Sequence, residues 1–251
     1  MNKVKRTLIL GLPLIALSAC GGGDTEDRLG IADPVMRFVH ASALTPNLTL
    51  YRNDVARADV SNVSYKSASN YLYTDSGTAQ WQVKTNILSV SFGNISIDAK
   101  RGNRYTIVAF PLSVTETLLY EIRDPYNKSV SSDRAKLRIV NGSFNADNID
   151  LYINSIGTDI SLAGVVPLIS NTSYKTAGPA SGNNSVDIDS GNYQLSITVA
   201  GSKTILSKGL ISVEKNKDIL LVTLPDSLFP TAVRTLIKVD GDAGSKELPA
   251  S

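Results

Sequence analysis

The sequence predicts an all-β protein made of two tandem immunoglobulin-like antiparallel β-sandwich domains. Short apolar runs that are β-branched or aromatic, and that often alternate with polar residues, are typical of strands; residues 47–51 and 193–199 are examples. Turn sequences rich in Gly, Asn, Asp and Ser separate these runs, as at residues 75–77. After the first twenty residues no segment keeps a long period of 3.6 residues, and only residues 57–66 leave room for one helical turn.

An internal repeat predicts that the sandwich occurs twice. Residues 36–53 align with residues 137–154 at an offset of 101 positions, with seven identities in eighteen. Three later matches follow in the same order at offsets that rise to 114, as small loop insertions would produce. Those matches join 64–68 to 173–177, 81–83 to 193–195, and 107–111 to 221–225. Each unit therefore has ~100–115 residues, the size of a small β-sandwich.

These patterns divide the chain into six segments. We predict a signal peptide at 1–19, a lipidated flexible tether at 20–34, a first β-sandwich at 35–126, a linker at 127–135, a second β-sandwich at 136–240 and a C-terminal tail at 241–251.

The amino terminus has the layout of a secretory signal. Lys3, Lys5 and Arg6 precede an apolar stretch at residues 8–19, which is too short to span a bilayer because spanning needs ~20 residues. The cleavage region, Leu-Ser-Ala followed by Cys20, resembles the bacterial lipoprotein signal. That resemblance implies that Cys20 receives a diacylglycerol and becomes the acylated amino terminus. It is the only cysteine in the chain.

The lipoprotein resemblance also implies a location. Acyl chains on Cys20 would anchor the protein to the membrane of the bacterial cell envelope, since each buried CH₂ contributes ~0.8 kcal/mol. The residue after it is Gly21 and not the Asp that resembles an inner-membrane retention mark, so the outer membrane is favoured in a Gram-negative cell.

Composition excludes several classes of function. The chain is 42% apolar and 19% charged, which is typical of a globular protein. Loss of the three basic residues of the signal leaves 22 Lys and Arg against 23 Asp and Glu, so the mature protein has no basic excess for nucleic acid. One His and one Cys cannot form a His/Cys metal cluster or a disulfide framework, and we predict no cofactor.

His40 is the only imidazole and the first candidate for catalysis. Ser42 lies two residues along the same strand face, but that spacing is ~6.5 Å, too long for a hydrogen bond between nucleophile and base. The aligned residue of the second unit is Asn141, which cannot act as a base. We therefore predict that His40 hydrogen-bonds a neighbouring loop, and that the protein is not an enzyme.

Three acidic clusters have oxygen-rich spacing that suits calcium. They are Asp147-Asn148-x-Asp150, Asp187-x-Asp189 and Asp240-Gly-Asp242. None has the twelve-residue loop with a terminal glutamate, and Asp and Asn are also the residues that turns use. We predict turns and no metal site.

Alternation assigns the strand faces. Leu48 and Leu50, and likewise Ile149 and Leu151, share the core face, while Asp150 points to solvent because an unpaired carboxylate is rarely buried. By the same alternation the arginines at positions 37 and 138 point outward.

Two tyrosines form the candidate ligand contact. If the chain turns as a hairpin at residues 75–78, then Tyr73 faces Gln80, Trp81 joins the core, and Tyr71 and Tyr73 point outward. Exposed aromatic rings of this kind suit stacking against a sugar, and a slip of one residue would reverse the faces.

The strand at residues 105–110 is apolar on both faces, as is its counterpart at 219–224. A lone sandwich would show polar residues on the solvent face, so either a loop or the other unit covers it. We predict a fixed pair of units, with a groove between them as the natural ligand site.

The segment Arg37-Phe-Val-His-Ala-Ser42, followed by Asn47-Leu-Thr-Leu-Tyr-Arg-Asn53, resembles the start of the bacterial domain of unknown function 4397. The resemblance covers about residues 36–240 and implies a secreted or anchored tandem protein without an established activity. Proline comes later here than in the family, and Asn141-Gly142 replaces its His-Ala.

Together these observations predict a membrane-anchored lipoprotein of the cell envelope that acts as a non-catalytic binding or structural module. A glycan-binding surface lipoprotein and a hydrolase with a site between the domains are the alternatives.

Overall fold

The fold was analysed in a computed structural model that describes residues 32–85, 90–126, 133–226 and 232–251. These residues form an all-β protein, which confirms the predicted fold class. Their only helical element is a single 3₁₀ turn, Ala58–Val60, within the segment where the sequence left room for one. The signal peptide and Cys20 lie outside the described residues, and so does most of the linker.

The described part of the first unit contains nine strands in two sheets. They are β1 Val35–His40, β2 Thr49–Arg52, β3 Val55–Ala56, β4 Ser67–Ala68, β5 Leu72–Tyr73, β6 Gly77–Lys84, β7 Ser91–Ala99, β8 Asn103–Pro111 and β9 Thr117–Pro125. One sheet has the order β4-β1-β8-β9, with β5 also paired to β1, and the other has the order β3-β2-β6-β7.

The second unit repeats this arrangement. Its strands are β10 Arg134–Asn141, β11 Asn148–Asn154, β12 Ile169–Ser173, β13 Ala177–Gly178, β14 Val186–Asp189, β15 Gly191–Val199, β16 Ile205–Val213, β17 Asp218–Pro225, β18 Val233–Val239 and β19 Lys246–Leu248. The sheets run β13-β10-β17-β18-β19, with β14 on β10, and β12-β11-β15-β16. Strand β19 lies in the segment predicted as a tail and pairs with β18.

Each unit contains one parallel strand pair. Strand β1 runs parallel to β8, from Val35 opposite Arg104 to His40 opposite Ala109. Strand β10 pairs with β17 in the same way. The other pairs are antiparallel, as predicted.

The two sheets of each unit enclose an apolar core of their own. Leu48, Leu50 and Trp81 are buried in the first core, which confirms the face assignment made from alternation. The prediction that Asp150 points to solvent was wrong. Its side chain is only 4% exposed, because its carboxylate accepts backbone N–H bonds from Asn171 at 2.7 Å and Gly201 at 2.9 Å.

The hairpin predicted at residues 75–78 does not form. Strand β5 pairs with β1 in one sheet, whereas β6 pairs with β2 and β7 in the other. The chain changes sheets at the start of β6, where Gly77 has a φ of 102° that favours glycine. Tyr73 therefore lies opposite Val35 and not opposite Gln80.

The units pack through their parallel-pair sheets, which form a third apolar cluster between them. Val108 and Phe110 of β8 belong to this cluster together with Val222 and Leu224 of β17. The other face of β8 lies in the first core, so the second unit covers the strand that the sequence showed as apolar on both faces.

The prediction that the arginines at positions 37 and 138 point to solvent was wrong. Neither side chain belongs to the apolar core of its unit, but both are buried: Arg37 is 4% exposed and Arg138 is 3% exposed. Arg138 lies between the units and pairs with Asp124 of the first unit at 3.1 Å.

Equivalent strands of the two units run in the same direction. Arg104, at the start of β8, forms an ion pair with Asp218 at the start of β17. At the other end, Tyr65 Oη donates to the carbonyl of Pro225 at 2.8 Å. The first described residue, Ala32, lies near the start of β8, because its carbonyl oxygen accepts a hydrogen bond from the backbone N–H of Gly102 at 2.9 Å.

Candidate functional site

A surface cavity of about 360 Å³ lies beside the turn between β2 and β3. Asn53 and Asp54 adopt left-handed φ values of 47° and 65° there, so a two-residue turn joins Arg52 to Val55, which pair across the two strands. The cavity is lined by Arg52, Asn53, Val55, Ala56, Arg57, Ala58 and Asp59. Its wall therefore combines two guanidinium groups and the carboxylate of Asp59 with apolar side chains.

Arg52 is held in place by an acidic neighbour. Its Nη1 donates to Asp75 Oδ2 at 3.1 Å, and its side chain is 19% exposed. Its Nε is buried and has no hydrogen-bond partner among the described residues. This arginine is thus fixed in position with one N–H group unused.

Arg57 joins the cavity to Tyr73. Its Nη2 donates to the backbone carbonyl of Tyr73 at 3.0 Å, and its own backbone N–H bonds to Leu50 at 2.8 Å. Within the described ranges Arg57 makes no ion pair. The Tyr73 residue is 72% exposed and Val55 is 68% exposed, so an apolar surface borders the charged one.

This arrangement suits an anionic ligand with a planar or apolar part. A guanidinium binds carboxylate through two parallel N–H bonds, and an exposed aromatic ring offers a stacking face. Of the nearby carboxylates, Asp75 pairs with Arg52 and Asp54 pairs with Lys84 at 2.8 Å, while Asp59 lines the cavity without an ion pair among the described residues. The positive charge of Arg57 remains unneutralised by any ion pair to a described side chain.

The structure does not bring Tyr71 and Tyr73 together. The Tyr71 ring lies 4.5 Å from the guanidinium carbon of Arg37 and 5.2 Å from that of Arg104. Burial raises the pKa of Tyr71. Tyr71 therefore belongs to the junction between the units. Of the two predicted tyrosines, Tyr73 is the one whose ring is exposed.

His40 holds a loop, as the sequence predicts. It is fully buried; its Nδ1 accepts the backbone N–H of Ser42 at 3.3 Å, and its Nε2 lies 2.9 Å from the carbonyl of Pro46. These partners assign the proton to Nε2. Burial lowers the pKa of His40. The neutral ring therefore bonds to backbone groups on both sides, and the contact with Ser42 does not involve its hydroxyl.

Asn141 makes the same two bonds in the second unit. Its Oδ1 accepts the backbone N–H of Ser143 at 3.3 Å, and its Nδ2 donates to the carbonyl of Asp147 at 3.4 Å. These partners are 101 positions after Ser42 and Pro46. An imidazole and an amide thus perform one structural task.

Two of the acidic clusters are engaged by cations. Asp187 pairs with Lys136 at 3.1 Å, and Asp189 pairs with Arg134 at 2.6 Å. Asp240 pairs with Arg104 at 3.2 Å. The described residues contain no group of three His, Cys, Asp or Glu side chains placed to hold a metal ion.

A second cavity of about 350 Å³ lies at the opposite edge of the first unit. It is lined by Ser91, Phe92, Gly93, Asn94, Thr115 and Glu116. The exposed side chains of Val90 and Val114 lie beside these segments in sequence. Each cavity has one carboxylate in its wall, but this one has no cation, so it offers less for recognition of an anion than the arginine-lined cavity.

Sequence reasoning missed Arg52 and Arg57. The available signal was the order Arg-Asn-Asp-Val-Ala-Arg, in which a turn pair lies between two arginines at the end of a predicted strand. What the sequence did not show is that Arg57 reaches Tyr73, since that contact depends on the placement of β5.

The family comparison bears on the first unit and the start of the second. Residues 34–152 match the family model described as domain of unknown function (DUF4397). The match is consistent with a DUF4397 domain in this segment. The match confirms the resemblance to this family, and it runs from β1 to within β11. The arginine-lined cavity and Tyr73 lie inside the DUF4397 match.

Other comparisons add little. No curated protein matches the chain. One similar solved structure is titled alpha-glucan recognition by family 41 carbohydrate-binding modules from streptococcal virulence factors. It is 11% identical over 84% of this chain and 98% of that chain, with a TM-score of 0.26. A likeness at that TM-score transfers neither a fold nor a ligand to this chain. No helix in the described ranges is long and apolar enough to cross a membrane.

Proposed function

We propose that the protein is a lipid-anchored lipoprotein of the bacterial cell envelope, and that its two units form a non-catalytic binding module. Cys20 carries the lipid and is the membrane contact. The Leu-Ser-Ala-Cys sequence and the basic segment before it support this proposal. The outer membrane is the location in a Gram-negative cell, because Gly21 follows the cysteine.

The observation that carries the binding role is the cavity between Arg52 and Arg57 with the exposed Tyr73 beside it. Its volume of about 360 Å³ is within the range of small-molecule sites. We infer a ligand that presents a carboxylate or another anionic group next to a planar or apolar part. Nucleic acid is not the partner, since the mature chain has no basic excess.

A glycan is the second candidate for the ligand. The 72% exposure of Tyr73 favours it, because an aromatic ring beside a polar cavity suits a sugar ring. An acidic sugar would use both features of the site. The partner on this proposal is an envelope glycan, whereas on the first it is an envelope protein with an acidic segment.

A hydrolase with a site between the domains receives less support. The described part of the junction contains packed apolar side chains, with Val108 and Phe110 against Val222 and Leu224. The single imidazole is bonded to a loop. Both observations favour a binding role without catalysis.

The ligand proposal is tested with a glycan array that includes acidic glycans, together with a pull-down of envelope proteins. Arg57→Met should weaken binding about 10–100-fold, since a hydrogen bond to a charged group contributes ~1.5–3 kcal/mol. Arg101→Met is the matched control, because Arg101 is a surface arginine that pairs with Asp33 and does not line the cavity. Equal loss in both variants, or no loss in Arg57→Met, contradicts the site.

The anchor is tested by mass spectrometry of the protein isolated from membranes. The amino-terminal peptide should begin at Cys20 and carry acyl chains. Cys20→Ala should leave an uncut or soluble product, and its circular dichroism spectrum should match that of the parent. An intact, unacylated Cys20 in native material contradicts the proposal.

A further inference from the structure

Arg37 is a buried cation between the two units without a carboxylate partner among the described residues. The residue is 4% exposed. Its Nε and Nη2 both donate to the hydroxyl of Thr106, at 3.3 and 3.1 Å, and its guanidinium carbon lies 4.5 Å from the centre of the Tyr71 ring. Its Nη1 is buried and has no hydrogen-bond partner in the described structure.

The equivalent arginine of the second unit is fully satisfied. Arg138 Nη2 donates to Asp124 Oδ1 at 3.1 Å and to the carbonyl of Asn183 at 2.6 Å. Its Nη1 donates to the carbonyls of Pro179 and Ala180. Because Arg138 Nε also donates to the hydroxyl of Ser185, this buried position has a carboxylate, three carbonyls and a hydroxyl in one unit, and a single hydroxyl in the other.

The charged neighbours of Arg37 do not replace that carboxylate. Lys238 is 1% exposed, and its Nζ donates to the backbone carbonyls of Asp242 at 2.6 Å and Gly244 at 3.4 Å. Burial lowers the pKa of Lys238, and the charge of Arg37 lowers it further, whereas Asp242 and Asp240 raise it. Two cations therefore lie near each other inside the junction.

Two further carboxylates of the junction, Asp218 and Asp240, are bound by Arg104. Asp218 and Asp240 both accept from Arg104 Nη1, and Arg104 in turn lies 4.0 Å from the Tyr126 ring centre. None of these contacts reaches Arg37. A buried guanidinium N–H without an acceptor lowers the stability of the fold, because burial removes its hydrogen bonds to water and no protein acceptor replaces them.

We propose that a small inorganic anion of the size of chloride binds between the units, with Arg37 Nη1 as its donor and the charge of Lys238 beside it. The closed surroundings set the size: the Tyr71 ring covers one side of the guanidinium, and the sheets on either side are packed through apolar side chains. This site is separate from the arginine-lined cavity, and its failure would not affect the proposed function.

The test is the thermal stability of the full mature protein in detergent at fixed ionic strength, with sodium gluconate replaced stepwise by sodium chloride. Gluconate is too large for an enclosed site. An anion that binds only the native state should raise Tm by about 3–6 °C for each tenfold increase in chloride above its dissociation constant. A Tm that does not change with chloride overturns the proposal, and a water molecule then occupies the position.

Matched variants assign the effect to Arg37. Arg37→Met should remove the dependence on chloride while keeping the apolar length of the side chain. Arg138→Met should lower Tm in both salts, because it leaves Asp124 unpaired, and should keep the dependence on chloride. Loss of the dependence in Arg138→Met but not in Arg37→Met places any anion elsewhere and contradicts the site.

Discussion

His40 and Asn141 show how one position can accept two side chains. Each accepts the backbone N–H two residues later and lies within hydrogen-bond distance of the carbonyl six residues later. The task needs one acceptor and one donor on a short, planar side chain, and both residue types supply them. The residue at this position is therefore defined by the loop that it holds.

We expect His40→Asn to fold and to lose about 1 kcal/mol or less of stability, because asparagine makes the same bonds in the second unit. His40→Ala should cost about 1–3 kcal/mol, since two buried backbone groups lose their partner. Urea denaturation of both variants measures the difference. An equal cost for Asn and Ala would mean that the ring's packing matters and its hydrogen bonds do not.

The buried His40 should also make stability depend on pH. The pKa of native His40 lies below the ordinary value of 6.5. Between these two pKa values the ring is protonated in the unfolded chain and neutral in the native protein. Stability contributed by the neutral ring is present above pH 6.5 and falls as the pH drops below it. Because the chain has one histidine, the difference between the parent and His40→Asn isolates this effect. Parallel curves between pH 5 and 8 would contradict it.

At the scale of a single strand, close packing explains a difference between the repeats. Ala41 ends the first run of the repeat and Gly142 takes its place 101 positions later. A Cβ on Gly142 would lie 2.7 Å from the backbone carbonyl oxygen of Thr223 and 3.4 Å from Phe110 of the first unit. The glycine allows the end of β10 to approach β17 and the neighbouring unit.

Gly142→Ala should therefore destabilise the protein by about 1–3 kcal/mol, because the backbone oxygen cannot move aside. Ala41→Gly is the reciprocal change and should cost roughly 1 kcal/mol through chain entropy. Denaturant titration compares the two. A neutral Gly142→Ala would show that β10 can shift without cost.

The sequence predicted what depends on neighbouring residues along the chain. Alternation placed Leu48 and Leu50 in the core, and the two apolar faces of residues 105–110 indicated a covering partner. It did not predict the burial of Asp150, because the N–H groups that satisfy it come from residues 21 and 51 positions away. The pairing of β5 with β1 was missed for the same reason, and with it the contact between Arg57 and Tyr73.

At the scale of the whole molecule, we expect the apolar cluster between the units to make them unfold as one cooperative unit. Val108 and Val222 belong to it, and the ion pair of Arg138 with Asp124 borders it. Calorimetry should therefore show a single transition, whose calorimetric and van't Hoff enthalpies agree. Small-angle scattering should fit one rigid body, whereas a profile that needs an ensemble of separated units would contradict the fixed pair.

Val222→Asp should separate the units, because it places an unpaired charge in the cluster. We expect two thermal transitions and a larger radius of gyration. Val166→Asp is the control, since Val166 belongs to the second unit and is 72% exposed, and it should keep the single transition. A single transition in Val222→Asp would show that the coupling between the units does not depend on this contact.

The apolar cluster also has an internal symmetry. Several residues that the first unit contributes have their repeat counterparts in the same cluster: Val39 and Val140, Val108 and Val222, Phe110 and Leu224, Tyr120 and Leu236. A surface that contacts its own equivalent is isologous, the kind of interface that joins two identical subunits about a two-fold axis. Here both partners belong to one chain. The pairing is therefore intramolecular, and dilution, which dissociates a homodimer, leaves it intact.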